Sequence, residues 1–317
     1  MKGLVLREGQ LTMAKDLVPR PPDEGEVEVR VVSASVNPTD IELAAGVYDD
    51  MLARAGMLDR TRTGLEFSGV VTTPGKRFQP GDEVFGYVDL LEGAKSHQER
   101  IAIGEALIAR KPAAWSFAEA AAVPLGAQTS LVALRDVANA QAGERILING
   151  AAGGLGVYAV QLAARVFRLH VTAVAGPGQG AFLKGLGADE VLDYTAERPL
   201  ANGERYDIIF DLTTRWQFDE VEASLTPTGR FMPSEPLKAG VDFSEGARSG
   251  ARSVNLWVGQ GDGDVLAEVA ALVANGTLQV FVDSVYPFEA HQEAFARLKQ
   301  PSKRGRVVMT LEDAGRP

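Results

Sequence analysis

Over residues 1–115 apolar positions alternate with polar ones in short runs that Pro and Gly interrupt. The segments at 27–36 (VEVRVVSASV), 68–73 (SGVVTT), 83–90 (EVFGYVDL) and 99–104 (ERIAIG) carry this pattern, and the turn-forming PGKRFQPGD at 74–82 separates two of them. Short strands at such spacing predict a compact β-rich unit. The rhythm becomes helical at 117–139. Ser116 can cap a helix that begins FAEAAAV, and a second helix is predicted over 125–139.

After Gly143 strand-like and helix-like runs alternate. Strands are predicted at 146–149, 170–174, 190–193, 207–210, 229–233 and 253–258, with helices at 155–167, 179–186, 216–225 and 264–274 between them. Repeated β-α units with near-continuous apolar strands predict a parallel, doubly wound sheet. The tail offers a β-like run at 279–287, a helix at 288–298 and a strand at 306–311 with no helix after it. That last strand is expected to return to the N-terminal unit, making the α/β unit an insertion. The division is 1–118 with 283–317 for one domain and 119–282 for the other, in keeping with 317 residues being more than one core usually organises.

Composition narrows the chemistry. The chain has no Cys, which removes disulfides, thiolate nucleophiles, Fe–S clusters and every Cys-containing zinc site, and its three His (His97, His170, His291) are scattered. A transition-metal site is therefore not expected. The formal net charge is −10, and no basic run is longer than a pair such as Lys303-Arg304, which reads as a solvated turn, so no nucleic-acid partner is expected. The N-terminal MKGLVLREGQ has no signal-peptide core, and the most apolar stretch, 120–127, is broken by Pro124 and too short for a bilayer. A soluble, cytoplasmic protein with no membrane partner is the expectation.

The most informative segment is ILINGAAGGLGVYAVQLAA (146–164). A strand runs into Gly150, Ala151, Gly153, Gly154, Leu155 and Gly156 and then into an amphipathic helix. Glycines let the backbone turn tightly and approach a pyrophosphate without a Cβ in the way, and a helix start presents N–H groups to phosphate. The GxxGGxG spacing departs by one residue from GxGxxG, but the strand before it, the helix after it and the further β-α units point to a dinucleotide site. The second strand runs into AVAGPGQG (173–180), with no Asp or Glu to hold a ribose 2′-hydroxyl, which favours NADPH over NADH. No Lys or Arg follows until Lys184, so the basis for reading a 2′-phosphate is thin in this segment.

Taken with VNPTDIELAAGVY (36–48), GLEFSGVV (64–71), FQPGDEVFG (78–86), AAAVPLGAQTSLVAL (120–134) and RGRVVMTL (304–311), this chain resembles the medium-chain dehydrogenase/reductase superfamily, and within it the zinc-independent quinone oxidoreductase and enoyl reductase branch. The resemblance runs over nearly the whole chain in order. It implies a GroES-like β-rich catalytic domain, a Rossmann domain, an NADPH site in the cleft between them, and a homodimer joined at the last Rossmann strand, SVNLWV (253–258). The superfamily's zinc-dependent members place a Cys at 36–38 and a His before Glu66, where this chain has Val36-Asn37-Pro38 and Leu65. By the same resemblance Asn37 and Tyr48 line the nicotinamide pocket, Tyr48 hydrogen-bonds the substrate carbonyl, Thr129 stands near the nicotinamide, and Tyr194 stands beside the adenosine 2′-phosphate. Gly176 and Gln179 fall on the adenosine loop, and Thr213 in DLTT (211–214) beside the nicotinamide ribose. Gln179 replaces a Lys common in relatives, DLTT replaces a Gly-rich turn, and GAKSHQERIAI (93–103) replaces a more aromatic wall.

Without a metal, reduction of an isolated ketone concentrates charge on one oxygen, whereas hydride addition to an enone, enoyl thioester or quinone spreads it into an enolate that ordinary donors can stabilise. The expected reaction is hydride transfer from NADPH to a quinone or a conjugated C=C, on a small-molecule substrate. Two alternatives stand beside it: a trans-acting enoyl-thioester reductase of fatty-acid or polyketide synthesis, and a nucleotide-binding or redox-sensing protein without turnover. Plainer roles are also open for single residues. Tyr48 can be packing, Asn37 a turn residue, Thr129 a helix cap and Tyr194 a surface aromatic. Glu66, His97 and His291 can be structural, and Asp40 a cap.

Overall fold

A computed structural model describes residues 1–7, 9–54, 62–90, 95–196, 198–201, 203–234, 250–254, 256 and 258–311. Its first sheet has seven strands. The order is Val282–Pro287, Arg306–Thr310, Glu26–Val36, Glu66–Val71, Glu83–Tyr87 and Ile108–Arg110, with Arg100–Gly104 also pairing with Glu26–Val36. The alternation read in VEVRVV holds: Val27, Val29 and Val31 are buried beside Phe67, Val84 and Ile101, and their sequence neighbours reach outward. From Ser33 onward every side chain of the long strand is buried, because both of its faces are covered there.

The second sheet is parallel throughout, in the order Glu190–Asp193, His170–Ala175, Arg145–Asn149, Tyr206–Asp211, Leu225–Pro233, Arg252–Ser253. Its central strands are apolar on both faces, with Ile146, Leu147, Ile148, Ile208, Ile209 and Phe210 all fully buried, since helices cover each side. The strand order reverses between Arg145–Asn149 and Tyr206–Asp211, and open α/β sheets bind ligands at the carboxyl ends flanking such a reversal. The chain then returns to the first sheet: Arg306–Thr310 lies antiparallel to residues 33–36 and parallel to Val282–Pro287. The α/β sheet is thus inserted between strands of the β-rich sheet.

The predicted helices appear with small shifts. Ser116 caps Phe117–Ala121, its hydroxyl accepting from the Glu119 N–H at 3.2 Å while the Glu119 carboxylate accepts the Ser116 N–H at 2.8 Å. The next helix starts at Pro124, runs to Val132 and ends in a π-helical turn, Ala133–Val137. The 216–225 helix is only Phe218–Val221 plus a 3-10 turn, Glu222–Ser224. Of the strand expected at 253–258 only Ser253 is in a strand, Arg252–Ser253; Val254, Leu256 and Val258 are not, and residues 255 and 257 lie outside the described residues. An N-terminal hairpin, Gly3–Arg7 with Gln10–Ala14, had no counterpart in the sequence reading.

The return segment is fastened by Asp283. Arg297 donates from Nε and Nη2 to its two carboxylate oxygens at 2.8 and 2.7 Å, and the Ser284 hydroxyl (3.0 Å) and the Arg304 N–H (3.1 Å) donate as well. Burial alone raises a carboxyl pKa, but these bonds outweigh it and hold Asp283 below the ordinary carboxylate value. A carboxylate depressed by folding stabilises the protein above its unfolded pKa and loses that contribution as pH falls through the folded value. Asp283→Asn should therefore cost about 1–3 kcal/mol at neutral pH. In thermal melts between neutral and acid pH, the variant's stability should fall less steeply than the wild type's.

Candidate active site

The glycine turn leaves strand Arg145–Asn149 at the sheet's reversal point. Gly150 has φ +87°, and both its N–H and that of Ala151 donate to the Val174 carbonyl, at 3.1 and 3.0 Å. A Cβ on Gly156 would lie 2.4 Å from the Gly150 oxygen and 2.5 Å from the Ala151 backbone, so the helix Gly156–Gln161 can sit this close to the strand only without a side chain there. From the other side, helix Pro124–Val132 packs on the turn through Gly126, whose Cβ would be 2.5 Å from the Gly154 oxygen. The Ser130 hydroxyl donates to the Leu155 carbonyl at 3.2 Å.

Across the reversal point stands DLTT. Asp211 is fully buried, and its carboxylate gathers the Asn149 amide (2.9 Å), the Thr213 N–H (3.0 Å) and hydroxyl (2.7 Å), and the N–H groups of Arg215 and Trp216 (3.0 Å each). This fixes Thr213 against the turn, since a Cβ on Gly150 would meet its methyl at 3.0 Å. Thr213 and Gly150 to Gly156 are therefore brought together, from strands more than 60 residues apart in sequence.

The third wall comes from the β-rich sheet and centres on a buried ion pair. Glu66 and Arg306 are 0 and 3 % exposed, with Arg306 Nη2 3.2 Å from Glu66 Oε1. Glu66 also accepts from the Ser35 hydroxyl at 2.5 Å and from the Leu125 N–H at 2.8 Å, which ties it to the helix beneath the glycine turn. Asn37 joins the cluster: its Nδ2 donates to Ser35 Oγ at 3.2 Å, and its Oδ1 accepts from Arg306 Nη1. The Arg306 side chain lies directly over Gly154, where a Cβ would fall 2.6–2.8 Å from Cδ, Nε and Cζ. Arg306 Nε and Nη2 have no hydrogen-bond partner among the described residues. A buried cation with unsatisfied donors, laid on a glycine cradle, fits an oxyanion of the pyrophosphate type.

The other predicted residues are spread around this centre. Tyr48 is half-buried on the first core, and its hydroxyl donates to Glu42 at 2.8 Å. Thr129 is the sixth residue of helix Pro124–Val132, so it does not act as a cap. Gly176 and Tyr194 meet at the end of the second strand, where a Cβ on Gly176 would be 3.1 Å from the Tyr194 hydroxyl and Tyr194 is 50 % exposed, and Gln179 follows in the same loop. Asp40 is a structural carboxylate that accepts from the Asn37 and Gly64 N–H groups at 2.8 and 2.7 Å. His97 is buried, with its ring nitrogens 2.9 Å from the Thr63 hydroxyl and the Ser35 carbonyl. Tyr87 and Tyr158 give their hydroxyls to the Val258 and Ala122 carbonyls, and burial pushes both phenols well above their usual pKa. Neither is a proton donor for a substrate. A cavity of about 430 Å³ lined by Asp89, Gln128, Arg135 and Gln260 includes none of the predicted residues.

Sequence reasoning did not include Arg306 in the site and left Glu66 open. The signal was present in RGRVVMTL: an Arg at the start of an apolar strand that is otherwise buried needs a buried partner.

Residues 23–136 match the family described as alcohol dehydrogenase GroES-like domain, and residues 186–309 that described as zinc-binding dehydrogenase. A chloroplastic quinone-oxidoreductase homolog of Spinacia oleracea is 30% identical over 303 residues, covering 91% of this chain and 90% of that protein. The pikromycin polyketide synthase component PikAII of Streptomyces venezuelae is 32% identical over 94% of this chain, which spans only 8% of that protein's length. Among solved structures, CurK enoyl reductase superposes with a TM-score of 0.80 at 27% identity, over 98% of each chain. The residues here do not fit zinc: the sequence has no Cys, and among the described residues no group of three or more His, Asp or Glu could hold a metal.

The turn's geometry makes a comparison of two alanine variants informative. Gly156→Ala places a methyl inside backbone and should destabilise by about 1–3 kcal/mol. Gly153→Ala, whose Cβ would meet nothing nearer than 3.3 Å, should cost less than half of that in the same denaturation experiment.

Proposed function

The chain belongs to the medium-chain dehydrogenase/reductase superfamily of nicotinamide-dependent oxidoreductases, and from that premise we propose that it transfers a hydride from NADPH to a quinone or to the conjugated C=C of an enone. The observation that carries this reading is the buried Arg306 laid on the glycine turn, paired with Glu66 through Nη2 and with its Nε unpartnered among the described residues. The bound nicotinamide supplies the hydride. The protein's part is to hold and orient. The turn from Gly150 to Gly156 would hold the pyrophosphate on bare backbone, with Arg306, already paired with Glu66, donating to it from Nε. Thr213, braced by Asp211, would hold the adjoining ribose, and Thr129 stands in the helix that packs on the turn.

The acceptor's chemistry follows from the donors within reach. The stretch Val36-Asn37-Pro38 and Leu65 stand where zinc-dependent members of the superfamily carry a Cys and a His, so charge on a carbonyl oxygen would be stabilised by hydrogen bonds, which suffices when it is delocalised into an enolate or hydroquinone anion. Tyr48 turns its hydroxyl from Glu42 to that oxygen, and Asn37, held by Arg306 and Ser35, shapes the pocket floor. The α-carbon proton comes from water. The similarity to a quinone-oxidoreductase homolog and to an enoyl reductase supports a conjugated acceptor.

A second reading is reduction of an enoyl thioester in fatty-acid or polyketide synthesis, supported by the similarity to PikAII. The net charge of −10 weighs against docking an acidic carrier. We also place the protein in the cytoplasm, as a homodimer joined along 253–258. Among the described residues no helix is long and apolar enough to cross a membrane.

NADPH oxidation followed spectrophotometrically should proceed with quinones and enones and more slowly with a crotonyl thioester. The opposite order favours the second reading, and tight NADPH binding without turnover of any acceptor leaves the protein non-catalytic. Tyr48→Phe should lower kcat about 100-fold with little change in the KM for NADPH. An unchanged kcat removes Tyr48 from the reaction.

A further inference from the structure

Arg304, two residues before the buried Arg306, reaches the loop after the second α/β strand. Its Nε donates to Gln179 Oε1 at 2.9 Å and its Nη2 to the Gly178 carbonyl at 3.2 Å, and its guanidinium lies 4.7 Å from the centre of the Phe182 ring. None of these partners is charged. Among the described residues Arg304 has no carboxylate within ion-pair distance of its side chain, and that side chain is exposed. The loop it grips is the AGPGQG stretch that carries no acid at the end of its strand, and Tyr194 presents its hydroxyl to the same loop beside Gly176.

The backbone between the two arginines has no latitude. Gly305 has φ +86°, a Cβ there would fall 2.0 Å from the Phe281 oxygen, and its N–H donates to the Ala152 carbonyl of the glycine turn at 3.2 Å. The Arg304 N–H is held by Asp283, itself gripped by Arg297. Residues 304–306 thus form a rigid fork from the return segment of the β-rich unit. One prong lies on the glycine turn and the other on the loop after the second strand of the α/β sheet.

We propose that Arg304 is the residue that selects NADPH over NADH, reading the 2′-phosphate from the return segment together with Tyr194, with Gln179 positioning its guanidinium. This rests on the nucleotide reading above and supplies the cation that the loop's own sequence lacks. An arginine whose partners are neutral carbonyl oxygens gains most from a dianion, because it exchanges dipoles for full charges without first breaking an ion pair. Gln179, at the position where a lysine is common in relatives, holds the cation by a hydrogen bond rather than providing one.

The test is titration calorimetry with 2′,5′-ADP and 5′-ADP, which differ only in the 2′-phosphate. The wild type should bind 2′,5′-ADP at least tenfold more tightly. Arg304→Gln should lower that affinity about 10- to 100-fold and leave 5′-ADP within about twofold, with the gap closing as salt rises. Gln179→Glu, which gives Arg304 a carboxylate, should produce the same selective loss and covers the case in which Arg304→Gln does not fold. Equal losses for both ligands would make Arg304 a brace for the loop and overturn the proposal, as would a wild type indifferent to the 2′-phosphate. Binding of neither ligand overturns the proposal and the nucleotide reading together. Selective 2′,5′-ADP binding without turnover of any acceptor leaves the proposal standing and removes only the proposed reaction.

Discussion

Glu66 and Arg306, paired within the β-rich sheet, carry that sheet's contacts to the other half of the molecule, Glu66 to the Leu125 N–H and Arg306 over Gly154. A buried ion pair is not a strong stabiliser in itself, because desolvation consumes most of the attraction, yet leaving either charge alone is costly. Here Glu66 has three further tasks: it receives the Ser35 hydroxyl and the Leu125 N–H and steers Arg306 toward Asn37 and Gly154. The pair therefore sets where the β-rich sheet meets the glycine turn. It also leaves Arg306 Nε without a partner among the described residues at that meeting point.

The remaining geometry follows from that junction. The sheet reversal brings Asn149 and Asp211 side by side, and Asp211 uses both oxygens to hold the DLTT turn against Gly150. Small residues at Gly126, Gly154 and Gly156 let helix, arginine and strand approach from three directions. Function is thus divided. The α/β sheet provides the glycine turn and the DLTT loop, while the β-rich sheet and the residue that follows its long strand provide Arg306 and Asn37 at their junction.

The sequence made the fold legible because periodicity and glycine spacing are local signals. VEVRVV alternates because one face of its strand is buried, ILIN is continuously apolar because both faces are, and Ser116 with Glu119 forms the expected reciprocal cap. The glycine turn and Thr213 were legible too, and they lie together. What escaped were relations across long separations. Arg306 is 240 residues from Glu66, and Arg304 is 125 from Gln179. No local pattern couples them, so Glu66 read as a leftover carboxylate and Lys303-Arg304 as a solvated turn. The short hairpin Gly3–Arg7 with Gln10–Ala14 was passed over for another reason: its strands are brief and only partly buried, and its turn lacks the usual two-residue signature.

The central claim, that the Glu66–Arg306 pair holds a cation on the glycine turn for a dinucleotide, is tested most directly by a double-mutant cycle on NADPH affinity, with folding checked for each variant. Glu66→Gln, which changes no group assigned to contact the nucleotide, should weaken binding in the wild-type background and have little further effect once Arg306→Gln is present. That corresponds to a coupling of more than about 1 kcal/mol between the two sites. Additive effects, or an affinity unmoved by Glu66→Gln in properly folded protein, would contradict it.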